Sequence, residues 1–265
     1  MASKSQLAAD ALNKTLYDLA LNACMKDGRA VDRINIGAYY YSSGRVRWAI
    51  DTLPEGKGWS PARDWVNGFH HIEKVVISSD GDQEIEQEIP IWFFPQATGD
   101  TPMLGAMRKA ADVVGRHVSE HPDSYPPIVI NISDGEPTDG DWSEVKQAAS
   151  GITDCATNDG GSLLLNIQIT EHSHSPLVFP RMQSVQGCPE EVIFMAEMSS
   201  ELPANMLVEA RRIGMDLKEG SKGLILDADW SLLTKFLRVG TTLTTETVRD
   251  DPDPPKLLTS GTEGE

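Results

Sequence analysis

Two short, almost wholly apolar runs constrain this chain more than any other feature: PIVINI (Pro127–Ile132) and LLLNIQI (Leu163–Ile169). A strand with one wet face alternates polar and apolar residues. A run without that alternation fits a strand buried on both faces, as in parallel sheets covered by helices. Helical spacing follows or precedes each run. Asp141–Thr157 places Trp142, Val145, Ala149 and Ile152 on one side, with Asp141 and Glu144 as its cap. Thr101-Pro102 opens another helix, carrying Met103, Leu104, Met107, Ala110, Val114 and Val118, with Thr101 as N-cap and Pro102 at the first helical position. A third apolar run, GLILDA (Gly223–Ala228), is reached through helical pieces at Glu190–Met198 and Ala204–Ile213 and precedes a last helix over Trp230–Val239.

Strands alternating with helices predict an α/β fold with a largely parallel, doubly wound sheet. The N-terminal third adds an amphipathic helix over Ser3–Cys24, started by a Ser3/Gln6 capping box. After it, RINIGAYYY (Arg33–Tyr41) and RVRWAI (Arg45–Ile50) flank Ser42-Ser43-Gly44 as a hairpin. Residues 51–70, with Trp59 and Trp65, read as a loop insertion, and Glu73–Ser78 and IPIWFF (Ile89–Phe94) as strands. Residues 1–243 form one domain in this reading; residues 244–265 are acidic, Pro-containing and expected to be disordered.

Charge narrows the partners. Of 265 residues, 40 are acidic and 23 basic, a formal net charge of −17. Nucleic acids and anionic membranes reward clustered Lys and Arg, so neither is an expected partner. The three cysteines lie far apart, and the N-terminus has no apolar signal region, so a reduced cytoplasm is the expected compartment.

In open α/β sheets, ligands bind beyond the carboxyl ends of the strands. Two strings belong there: Gly99-Asp100-Thr101-Pro102-Met103 at a helix start, and the run from Ser133 to Asp141, SDGEPTDGD, after a buried strand. A hydroxyl and a carboxylate brought together in that position suit a hard, oxygen-loving cation such as Mg²⁺.

With those strings, the chain resembles the von Willebrand factor A (vWA) domains, specifically their intracellular bacterial, TerY-like branch associated with tellurium resistance. The resemblance extends over nearly all of residues 1–240. It includes SKSQLAADALNKTL, IPIWFFPQATGDTPM, the SSELP turn (Ser199–Pro203) and GLILDADWSLLTKFLRVGT. It implies a Rossmann-like sheet and a metal ion-dependent adhesion site that binds Mg²⁺ or Mn²⁺. Thr101 matches the family's second-loop Thr and Asp134 its third-loop Asp. A partner protein would fill the open coordination position with an acidic side chain. By the same resemblance the module is a cytoplasmic, non-enzymatic binder in signalling systems with Ser/Thr kinases or PP2C-type phosphatases.

The family's first loop, Asp-x-Ser-x-Ser, and the central strand before it have no counterpart in this sequence. Met1 stands where the Met of an Asp-x-Ser-Gly-Ser-Met run would stand. Three expectations follow: that Met1 is an internal Met of a longer protein (the favoured one), that the strand is donated in trans, or that the product folds poorly. With two of the motif's elements, this polypeptide is expected to bind metal weakly or not at all.

The competing reading is a metal-dependent phosphohydrolase using Asp134, Asp139 and Asp141, which requires a second strand-end carboxylate cluster. Weaker features are Glu171, His172 and His174 as a zinc site, His70-His71, and Asp80-Gly81-Asp82 as a fragment of a calcium loop. Trp59 and Trp65 are better explained by packing than by a partner-binding patch. Phosphate-loop, nucleophile-elbow and dinucleotide motifs are missing.

Overall fold

A computed structural model describes residues 3–80, 83–96, 99–133, 136–169, 177–212 and 214–226. The expected last helix, the C-terminal tail, Asp134, and the Glu171, His172 and His174 group lie outside the described residues.

Helix α1 (Lys4–Leu19) starts at Ser3, whose hydroxyl accepts from Gln6 N at 3.2 Å. The expected box is half formed, because the Gln6 amide donates to Asp10 one turn on, at 2.6 Å. Hairpin strands β1 (Tyr39–Ser42) and β2 (Arg45–Trp48) meet around Ser43-Gly44. Both turn residues have positive φ, 49° and 68°, the conformation that matches the twist of a two-residue hairpin. The insertion is ordered: it holds the short helix α2 (Ala62–Trp65), with the Trp65 side chain fully buried. Strands β3 (His71–Asp80) and β4 (Gln83–Ile91) form a second antiparallel hairpin.

Helix α3 (Met103–Glu120) leads to β5 (Ile128–Ser133), then α4 (Trp142–Thr153), β6 (Leu163–Gln168), β7 (Leu177–Val178), α5 (Glu190–Met198), α6 (Ala204–Arg212) and β8 (Leu224–Leu226). These strands make one mixed sheet in the order β7-β8-β6-β5, in which β5, β6 and β8 are parallel and β7 is antiparallel. The chain is therefore a mixed α/β protein. Parallel pairing covers three strands, whereas the N-terminal strands pair locally and antiparallel, a narrower parallel region than the alternation of elements predicted.

Helices pack on both faces of the mixed sheet, as the unbroken apolar runs require. On one side Ile128, Ile130, Ile132, Leu165, Ile167 and Ile225 meet Ala11 of α1 and Met206, Leu207 and Ala210 of α6. On the other, Val129, Leu164 and Leu224 meet Met107 of α3, Val145, Ala149 and Ile152 of α4, and Phe194 of α5. A third core joins the end of α1 to Trp65, Trp92 and Phe93. There the buried Asn13 side chain acts as a strand substitute: its Oδ1 accepts from Trp92 N and Phe93 N, and its Nδ2 donates to Phe93 O, at 2.8–2.9 Å. No helix among the described residues is long and apolar enough to cross a membrane.

Among the described residues, strand β5 is the end of the sheet. Leu163 N donates to Pro127 O and Ile169 N to Ser133 O, both at 2.9 Å. By the alternation of strand backbone groups, residues 127, 129, 131 and 133 thus face β6, while those of Ile128, Ile130 and Ile132 face outward. Among the described residues no strand pairs with that outer edge. What reaches it is the Tyr41 hydroxyl from β1, which donates to Ile132 O at 3.0 Å and lies 2.6 Å from Asn131 Oδ1.

Candidate functional site

The two strings singled out by the sequence meet at the carboxyl end of β5. Thr101 is half-buried, and its carbonyl accepts from Met103 N at 2.8 Å and from Thr138 N at 3.0 Å. The loop that opens α3 and the loop that follows β5 are thereby joined through their backbones. Asp134 directly follows Ser133, the last residue of β5, and is itself outside the described residues.

The start of α3 differs from the expected cap. Pro102 holds the N-cap position with no side-chain hydrogen bond, and the helix begins at Met103. Thr101 therefore precedes the position from which a hydroxyl reaches the free amides of the first turn. Asp139 takes that role from the neighbouring loop: Leu104 N donates to Oδ1 at 2.9 Å and Gly105 N to Oδ2 at 2.8 Å. Both of its oxygens are engaged by a helix N-terminus, where the dipole favours negative charge.

Asp141 is a cap, as predicted. It accepts from Ser143 N, Ser143 Oγ and Glu144 N at 2.7–2.9 Å, and Glu144 returns the bond by accepting from Asp141 N at 3.1 Å. The Glu144 amide and the Ser143 hydroxyl hold the Asp141 carboxyl below the usual carboxylate range. Two of the three carboxylates that phosphohydrolase chemistry would need are thus anchored to backbone amides of α3 and α4.

Among the described residues, no three His, Cys, Asp or Glu side chains converge as a metal-holding group. The candidate ligands are oxygen donors, the Thr101 hydroxyl and the Asp134 carboxylate, the latter outside the described residues. That chemistry fits Mg²⁺ or Mn²⁺ rather than zinc. The other candidates are dispersed. His70 pairs with Asp51 and His71 with Glu73, each at 2.6 Å. Trp59, half-buried, stands edge-on to His117 at 5.1 Å, and the buried Trp65 packs edge-on to Trp92 at 6.2 Å.

Sequence reasoning missed a buried polar chain beneath the rim. Asn131 and Asn166 are register partners on β5 and β6, and Asn131 Nδ2 donates to Asn166 Oδ1 at 3.0 Å. Asn166 Nδ2 then donates to Ser199 Oγ at 2.9 Å, and Ser199 donates to Met195 O at 2.7 Å. With Tyr41 at the other end, the chain runs from β1 across two strands to α5. The signal was an Asn inside each otherwise apolar run, PIVINI and LLLNIQI, and the pairing register sets the two opposite each other. A buried amide demands partners, and each Asn is the other's.

No family model matches this chain, and no curated protein or solved structure is significantly similar to it.

Proposed function

We propose that this chain is a protein-binding module of the vWA type. Its mode is capture of a partner's acidic side chain through Mg²⁺ or Mn²⁺ held at Thr101 and Asp134, and its sheet is completed by one further strand beside β5. The observation that carries this reading is the outer edge of β5. It is covered on both faces by helices, lacks a described neighbour along its length, and is bridged by the Tyr41 side chain to β1. A tyrosine spanning from one strand to another leaves room for an intervening strand at the usual spacing of about 4.8 Å. A doubly wound sheet with that strand restored has its central position there.

The reading favours binding over turnover because Asp139 and Asp141 are engaged in capping α3 and α4. A partner from a Ser/Thr kinase or PP2C-type phosphatase system is the class that the family resemblance points to, and a cytoplasmic setting goes with it.

Hydrogen exchange on β5 tests the strand position. Amides of Val129, Asn131 and Ser133 should be protected, and those of Ile128 and Ile130 should exchange fast. Adding an apolar, strand-forming peptide should slow Ile128 and Ile130 alone. Uniform protection along β5 without the peptide would overturn the open-edge reading.

A further inference from the structure

Helix α3 ends on a pair of histidines, about 27 Å along its axis from the rim at Thr101. His117 lies in its last turn and His121 is its C-cap, and a spacing of four residues puts both imidazoles on one face. Their ring centroids are 4.7 Å apart. The other two described histidines each hold a carboxylate, His70 that of Asp51 and His71 that of Glu73. Neither His117 nor His121 forms such a pair, and Glu120, between them in sequence, is turned to Lys57 at 2.6 Å.

The N-terminal third of the chain walls this pair. Trp59 stands edge-on to both rings, 5.1 Å from His117 and 6.2 Å from His121. His117 Nδ1 is buried, which leaves Nε2 as its available ligand atom, and the amide of the exposed Asn35 lies 3.3 Å from it. An imidazole at a metal–nitrogen distance of about 2.0–2.1 Å sets its ring centre about 3.2 Å from the ion. Two rings 4.7 Å apart then subtend about 90° at that ion. This is the angle of neighbouring ligands in a square-planar or tetragonal complex, narrower than the tetrahedral one. A half-turn of the Asn35 amide brings its oxygen toward Nε2 and gives a mixed N,O set of the kind such ions take.

We infer that His117 and His121 form a binding site for one divalent transition-metal ion of tetragonal preference, Cu²⁺ or Ni²⁺, with Asn35 and water in the remaining positions. The site is independent of the one at Thr101. Its ligands sit at the opposite end of α3, and imidazole nitrogens suit late transition metals rather than Mg²⁺. The bound ion ties the end of α3 to the segment that carries Asn35. Without an acceptor for the Nδ1 proton of His117, affinity is about 10–100-fold below that of a site with one, so the ion exchanges readily.

The test uses the full chain, stripped with chelator and titrated with Cu²⁺, read by tryptophan fluorescence and electron paramagnetic resonance. Cu²⁺ quenches a nearby indole, so the difference between wild type and Trp59→Phe isolates this site from ions held elsewhere. That difference should saturate with Cu²⁺, and the resonance spectrum should show coupling to two imidazole nitrogens. His121→Gln, at an exposed position, should weaken binding by at least about tenfold, because losing a ligand costs no less than losing a second-shell partner. Thr101→Ala and His70→Gln/His71→Gln should leave the titration unchanged. Quenching that is equal in wild type and His121→Gln, or that persists in full in Trp59→Phe, would overturn the site. A spectrum with a single coupled nitrogen would overturn it as well.

Discussion

Asp139 caps a helix it does not belong to: its carboxylate bridges Leu104 N and Gly105 N, 35 and 34 positions away in the chain. This contact fixes the loop after β5 to the first turn of α3, and so fixes the rim on which Thr101 stands. Asp139→Ala leaves two helix-end amides without their acceptor and should lower thermal stability by about 1 kcal/mol. Asp139→Asn keeps one acceptor and should lose less. Melting curves of the two variants check the order. If catalysis rather than capping were its role, Asp139→Ala would melt as wild type does.

The Tyr41–Asn131–Asn166–Ser199 chain is a second target. Asn166→Ala removes the acceptor of Asn131 and the donor to Ser199 within a fully buried site. Orphaned buried groups cost about 1–3 kcal/mol, so urea unfolding should shift by that order. Tyr41→Phe, at the half-buried end of the chain, should cost about 1 kcal/mol or less. Because the residues share one network, the double variant should lose less than the sum of the two.

Stability should fall with acid around His117. Its Nδ1 is buried without a partner, its Nε2 lies 3.3 Å from Asn35 Nδ2, and His121 stands 4.7 Å away ring to ring. Burial, and secondarily the second imidazole, push its pKa below the ordinary 6.5. The unfolded chain therefore takes up the proton first. This contribution is complete above pH 6.5 and is lost as pH falls toward the lowered folded value. His117→Gln should flatten that part of a stability–pH profile, measured against wild type from pH 8 to about pH 5.

Thiol chemistry should distinguish the cysteines. Cys24 is fully buried, and burial pushes its pKa up to about 12, while Cys155 and Cys188 are half-buried. Only the thiolate attacks a disulfide reagent, so Cys24 should react last and at the rate of unfolding. Mass-resolved labelling that found Cys24 among the first modified would contradict its burial in the core that also holds Trp65, Trp92 and Phe93.

Much of the C-terminal half was legible because burial writes itself into composition. Ile128–Ser133 and Leu163–Gln168 lie where the apolar runs stood, and Asp141 with Glu144 forms the box their spacing encodes. The N-terminal half was less legible because pairing, not burial, makes its strands. Gln83–Ile91 begins in a polar stretch and becomes a strand through its ladder with His71–Asp80, while Gly81 and Asp82 of the weak calcium-loop resemblance lie outside the described residues. At the rim, Thr101 looked like a cap because the Thr-Pro dipeptide commonly is one. The actual acceptor, Asp139, belongs to a different loop, and a contact between distant segments leaves no local spacing to read.

Uptake of Mn²⁺ with and without a strand-forming peptide ending in Asp-x-Ser-x-Ser tests the central claim most directly. The account predicts weak or no binding to the chain alone. Stoichiometric binding should appear when the peptide is present, and should be lost in Thr101→Ala and in Asp134→Ala. Equal Mn²⁺ binding with and without the peptide, or binding indifferent to both substitutions, would contradict a vWA-type site at the end of β5.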